Sequence, residues 1–281
     1  MVWPAALAGG HDPELAATVG YEVTIRAARA FGPEHRRTWH PSSTAGVLGA
    51  AAARAVSAGC TFDETLVCLG HATSLATGLG QGILEERDTA VLHRLHAART
   101  AELCLEALGL SPPKQGFEGE RGLLAAFGGD SAPLGEPLTL PAIAEVSFRL
   151  YPVTGLLQGL AETAGSVALA PDDAAVAVVV APGAVGLVDR PAPRTEWDRW
   201  WSAQWTAAAY LLRLDPADPG NSSRIEVLAA RVTVTAGPQP MLTVGARSVP
   251  VEERRHARAD ELHAKWSMLN PEQEPPQGLL D

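Results

Sequence analysis

Residues 44–59, TAGVLGAAAARAVSAG, constrain this 281-residue chain more than any other stretch. Alanine is the strongest helix former, so the run reads as a helix. Small side chains around it let neighbouring helices pack closely, and its faces are built to be covered. Further helices are legible on either side. PELAATVGYEVTIRAARAF (13–31) carries apolar residues at spacings of three and four. TFDETLVCLGHATSLATGL (61–79) opens with a Thr61/Glu64 capping box, and TAVLHRLHAARTAELCLEALGL (89–110) is amphipathic. Glycines end several of these segments, as helix C-termini require. The first part of the chain is therefore a set of packed helices.

The texture then changes. GGDSAPLGEPLTLPAIAE (128–145) reads as a Gly/Pro linker and AEVSFRLYPV (144–153) as a strand. TGLLQGLAETAGSVA follows as a helix, AAVAVVVAPG as a buried strand, and TEWDRWWSAQWTAAAYLLRL as a further helix. IEVLAARVTVTAG and PMLTVGARSVPV read as strand pieces, ADELHAKWSML as a short helix, and the Pro/Gln-rich end as a mobile tail. The fold class is mainly α with a smaller α+β part.

Composition excludes several functions. A net charge of −10 argues against nucleic acid as the main partner. The apolar run AAVAVVVAPGAVGLV is interrupted by Pro182 and falls short of the roughly 18 residues that a membrane span needs. No basic segment precedes an apolar core near the start, so no secretion signal is expected. Three cysteines without metal-type spacing suit free thiols in a reducing cytosol, and the expected location is cytoplasmic. The glycines of GLGQG do not follow a strand, so no nucleotide cofactor is expected. Only two lysines are present, Lys114 and Lys265, so a site needing a catalytic lysine has almost none to draw on.

Histidines carry the first candidate chemistry. His40 stands before Pro41 at the start of the small-residue helix, where it either punctuates a turn or acts as a base over a cavity. Ser42, Ser43 and Thr44 can cap that helix or donate hydrogen bonds to a ligand. His93 and His96 are three apart on a helix and share a flank. They can face one cavity, sit as a solvated or core-capping pair, or bind a metal, although no third ligand is evident. Arg99, on the same side, can hold a carboxylate or join an interhelical ion pair. In WDRWWSAQW, Trp197, Trp201 and Trp205 form a stripe at spacing four, either a core seam or an aromatic wall for substrate, with Trp200 off the stripe.

Six segments in order resemble the MmgE/PrpD family, dehydratases, decarboxylases and epimerases of small carboxylic acids. They are GYEVTIRAARAFGPEHRRTWHPSSTAGVLGAAAA, LHRLHAARTAELCLEALGL, FEGERGLLAAF, VSFRLYPV, WWSAQWTAAAYLL and ADELHAKWSML. The resemblance implies a helical domain over 1–131 and an α+β lid domain over 132–252. A C-terminal helix and tail over 253–281 would return to the helical domain. It also implies a homodimer and proton chemistry without metal or organic cofactor, in a site between helical domain and lid. His40 matches the family's histidine, while the lysine position before His96 and Arg99 is His93. Arg149 and Thr154 stand where the family has lysine and histidine around Tyr151-Pro152, and Trp205 occupies an aromatic position. An arginine at 149 keeps the charge but cannot serve as a base, so it would bind rather than move a proton.

The expected catalytic set is therefore His40, His93 and His96. Arg99, Arg149, Tyr151, Thr154, Trp205 and Ser43 are expected to bind a small carboxylate or carbonyl substrate. The expected reaction is dehydration, isomerisation or cyclisation beside a carbonyl or carboxylate, on a biosynthetic intermediate. WPAALAGG near the start resembles a segment that in the family follows helices bearing an Asp and a His of the site. The chain is thus expected to be shortened at its N-terminus, with uncovered faces on helices 20–31 and 44–58. The alternative function is a half-site or non-catalytic subunit completed by a partner chain or a second copy.

Overall fold

The computed structural model describes residues 1–85, 87, 89–135, 141–168, 175–252, 257–269 and 271–272. Residues 136–140 of the expected linker and 273–281 of the expected mobile tail lie outside the described residues. Two compact units divide the chain between Glu145 and Val146.

The first unit is built around the small-residue helix. Its helices are α1 (Val2–Leu7), α2 (Pro13–Thr38), α3 (Ala45–Ser57), α4 (Phe62–Leu75), α5 (Gln81–Leu84), α6 (Thr89–Glu106) and α7 (Leu123–Phe127). Along α3, Ala45 to Ala53 are buried without interruption, and α1, α2, α4 and α6 pack around them. Two glycines set the approach of α2 to α3. A methyl group on Gly20 would stand 2.8 Å from the carbonyl oxygen of Gly49, and one on Gly49 would collide with the Thr24 hydroxyl. The sides of α2 and α3 that meet are thus covered within the chain, by the neighbours that glycine and alanine admit, while residues 21–26 of α2 stay half-buried. α4 opens with the Thr61/Glu64 capping box. Helix α2 kinks at Gly32 and Pro33, since proline cannot continue the hydrogen-bond ladder of the preceding turn.

The expected boundary after residue 131 moves to Glu145. Short 3-10 turns at Ala132–Gly135 and Ala142–Glu145 pack on α2. Arg26 donates to the Leu134 carbonyl, and Ala142 N–H donates to the Glu22 carboxylate. These bonds tie the segment to the helical unit.

In the second unit a four-stranded sheet has the order β2-β1-β3-β4, with β1 Val176–Val180, β2 Val232–Ala236, β3 Met241–Val244 and β4 Arg247–Pro250. β1 and β2 are parallel, and the other two pairings are antiparallel. The helices here are α8 (Gln158–Ser166), α9 (Val185–Val188), α10 (Glu196–Trp201), α11 (Ala203–Leu211), α12 (Ser222–Ala229) and α13 (Ala259–Leu269). The division groups α13 with this second unit, where the sequence placed a helix returning to the first.

Three local expectations change. Residues 146–153 are not a strand, because a single side chain takes the backbone bonds a strand would need. The Gln158 amide accepts from the N–H groups of Leu150 and Tyr151 and donates to the carbonyls of Tyr151 and Val153. IEVLA, read as strand, forms the end of α12. The tryptophan helix breaks at Ser202, whose extended backbone ends α10 and whose hydroxyl caps α11 through Trp205 N–H. Among the described residues, no helix is long and apolar enough to cross a membrane.

Candidate active site

The chain positions His40 through a short backbone ladder. Trp39 and Leu79 form an antiparallel bridge, Gly80 N–H donates to the Thr38 carbonyl, and His40 N–H donates to the Gly78 carbonyl at 2.9 Å. The His40 carbonyl accepts from Ser43 and Thr44 N–H at the start of α3. The backbone of His40 thus serves the turn, and its ring is left for something else. That ring meets His93 of α6, with the two Nδ1 atoms 2.8 Å apart and the ring centroids 5.0 Å apart.

A bond between two Nδ1 atoms needs one donor and one acceptor, so the accepting ring is neutral when it forms, and a neutral pair is one way to make it. The surroundings favour that state. Burial, then His93 and Arg94, push His40 down to about 4. Burial, then the neighbouring His96, lowers His93. One ring then carries its proton on Nδ1 and presents a bare Nε2, while the other presents Nε2–H. The pair offers a base and an acid at once.

Ser43 is fully buried and its hydroxyl has no hydrogen-bond partner among the described residues. Neither Ser43 nor Thr44 makes a side-chain cap of α3. Gly78 lies against Ser43 and His93. Its φ of +124° suits glycine, and a methyl group there would stand 2.6 Å from Ser43 Oγ and 3.3 Å from His93 Cδ2. This glycine is what lets Ser43 and the His93 ring come so close to the turn.

The other histidine and arginine of α6 are placed differently. His96 engages the Leu75 carbonyl through Nε2 at 3.2 Å and the Thr100 hydroxyl through Nδ1 at 3.4 Å. His93 and His96 share a flank but turn to different partners. Among the described residues no three metal-capable side chains gather. Arg99 is exposed, and the interhelical ion pair expected of it is made by Arg54 and Glu102 at 2.6 Å.

Four expected binding residues lie in the second unit. Arg149 is exposed and stands close enough to Lys265 that, after burial, its charge lowers that amine. Tyr151 meets Tyr210 edge to face at 5.1 Å. Thr154 is buried, and its N–H donates to the Trp200 carbonyl. Trp205 is 1% exposed, a core side chain with the Arg199 guanidinium 4.4 Å above its ring.

The expected set omits His35, Gly78 and Arg94. His35 is buried between Phe31 and Phe127, its Nε2 3.0 Å from the Thr44 hydroxyl, and burial and then Arg36 push it down to about 4. Its signal was its place one turn before the end of a helix that enters the His40 turn. Gly78 and Arg94 carried no local signal, because only the fold brings them to His93 and His40.

Residues 5–134 match the MmgE/PrpD N-terminal domain. Cis-aconitate decarboxylase of Homo sapiens is 30% identical over 228 residues, covering 72% of this chain and 45% of that protein. The chain thus spans about half the length of the curated relative it matches.

Proposed function

Because the chain belongs to the MmgE/PrpD family through residues 5–134, we propose that it is a lyase or isomerase of the acid/base type. Its substrate would be a small molecule bearing a carboxylate or carbonyl next to the reacting carbon. The observation that carries this reading is the Nδ1–Nδ1 contact of His40 and His93. The base Nε2 of one ring takes a proton from carbon, and its Nδ1 proton passes to the partner ring. The partner releases its own Nε2 proton to the departing hydroxyl or to another carbon. One proton enters and one leaves, the two rings exchange tautomers, and the pair returns to neutrality. Neither a metal nor an organic cofactor enters this cycle. Dehydration, isomerisation and cyclisation share the first step, and His93 in place of lysine favours a less anionic substrate than the family's tricarboxylates. A biosynthetic intermediate fits that description. Ser43 would donate to the substrate beside the pair, while Arg99 would attract its charge from an exposed position.

The test compares wild type, His40→Asn and His93→Asn in turnover of cis-aconitate and related unsaturated or hydroxylated acids, with chelator present. Each substitution should cost about a hundredfold or more in rate, with a nearly unchanged melting temperature. A stable, fully active His40→Asn protein would refute the proposal.

A second reading draws on α6. Val91, Leu92, Leu95 and Leu103 are exposed along it, and Phe62 and Leu66 are exposed on the adjacent α4. An apolar surface of this kind calls for a covering layer, from a second copy or a partner chain that completes the site.

A further inference from the structure

The turn that carries His40 is braced by a second buried histidine that has no place in the proton transfer. His35 is 2% exposed and boxed by Phe31 and Phe127, with ring centroids 4.9 and 4.8 Å away. A phenylalanine would fill such a box without the cost of burying an imidazole. Among the described residues the His35 ring has one hydrogen-bond partner, the Thr44 hydroxyl, 3.0 Å from Nε2. Thr44 is itself fully buried and does not cap α3. Its hydroxyl also reaches the His40 carbonyl, at 3.4 Å. A threonine hydroxyl bonded to the carbonyl four residues back is, taken alone, a common local contact. The second partner changes its meaning. The hydroxyl has one proton, so accepting from His35 leaves that proton for the His40 carbonyl.

We infer that His35, as its Nε2–H tautomer, donates to the Thr44 hydroxyl, which donates to the His40 carbonyl, and that this bridge sets the His40 ring against His93. His35 is thus a positioning residue for the pair, an assignment that rests on the acid/base reading above. Only one arrangement of protons makes both bonds. With the His35 proton on Nδ1, Nε2 would take the Thr44 proton and the carbonyl would lose it. Two linked bonds in a dry interior also strengthen one another. The pair needs such bracing, because its 2.8 Å contact leaves hydrogen-bond range after a drift of about 0.7 Å. His40 is held on one side by its N–H on the Gly78 carbonyl and on the other by its carbonyl at the start of α3. The bridge secures that second hold from α2. His35 meets the same turn through its backbone, where its carbonyl accepts from Trp39 N–H at 2.8 Å. Burial, then Arg36, push the ring down to about 4, so the bridge keeps its protons at neutral pH.

Proton–nitrogen NMR of the full chain, labelled in its histidine rings and backbone amides, tests the bridge without a substrate. In wild type the proton shared by the two Nδ1 atoms should give a slowly exchanging signal. Thr44→Val keeps the shape and removes the hydroxyl, and exchange of that proton should become roughly tenfold faster, the worth of one hydrogen bond. Thr44→Ser should restore the wild-type rate. His35→Phe keeps the aromatic box, removes the Nε2–H and should match Thr44→Val. The amides of Ala51 and Ala52, in the middle of α3, report general loosening and should not change. An unchanged rate in Thr44→Val, no rescue by Thr44→Ser, or an equal speeding of the α3 amides would each overturn the assignment. If Thr44→Val does not fold, His35→Phe alone decides. A wild-type spectrum without a shared proton would remove the pair and the bridge's purpose together. If His40→Asn keeps its turnover while the shared proton still responds to Thr44→Val, the bridge stands and the acid/base reading falls.

Discussion

His35 shows what burial does to one titratable residue. Packed between Phe31 and Phe127, it is held neutral down to about pH 4, whereas in the unfolded chain it titrates near its ordinary value of 6.5. Between those two values the unfolded chain binds the extra proton, so stability falls as pH drops from 6.5 towards 4. One such histidine loses on the order of 2 kcal/mol by pH 5. His40 has the same low value and adds to the same acid limb. In His35→Gln, an amide can still meet the Thr44 hydroxyl but nothing titrates. The drop in melting temperature between pH 7.5 and pH 5 should therefore shrink relative to wild type. The slope is the readout, because uniform destabilisation by the substitution leaves it unchanged. An equal acid loss in both proteins would mean that His35 is not the group responsible.

Among the helices, α3 decides how the first unit is built, and glycine acts on it with a sign that depends on its neighbours. Alanine in place of glycine ordinarily favours a helix by roughly 1 kcal/mol. At Gly165, exposed in α8 with nothing within 4 Å of the added methyl, Gly165→Ala should raise the melting temperature. At Gly49 the methyl would meet Thr24 and the Gly20 backbone, which cannot move without parting α2 from α3. Gly49→Ala should therefore cost roughly 1–3 kcal/mol, the usual penalty for overpacking. Thermal melts of the two variants should shift in opposite directions. A stabilised Gly49→Ala would show that the helices tolerate a wider spacing than the structure has.

For the assembled protein, the apolar residues of α6 and α4 set the expected behaviour. Leu92 is 62% exposed and Phe62 76%, on neighbouring helices. Light scattering at micromolar concentration should give a mass above the 29.4 kDa of one chain. Leu95→Asp with Leu103→Asp should bring the mass back towards that value, because a charge in a buried apolar seam is costly. A stable single-chain particle for wild type would count against the covering-layer reading.

Much of this was legible in local residues, and the physical reason is range. The alanine run, the Thr61/Glu64 box and the glycine-bounded helices depend on neighbours within a turn or two, so their residues alone imply them. His40 at the start of α3 was legible for the same reason. Other features depend on which distant groups meet. Residues 146–153 are not a strand because Gln158 takes their backbone bonds, a choice that strand-type alternation cannot reveal. The resemblance brought His40 and His93 into one site, but it could not say that they touch through Nδ1, nor that His96 turns to Leu75. Gly78 is needed because Ser43 and His93, from separate helices, converge on it. Helices and their ends follow from short-range rules in the sequence. The hydrogen bonds and packing that could turn them into a catalytic site are settled only where segments far apart in the chain meet.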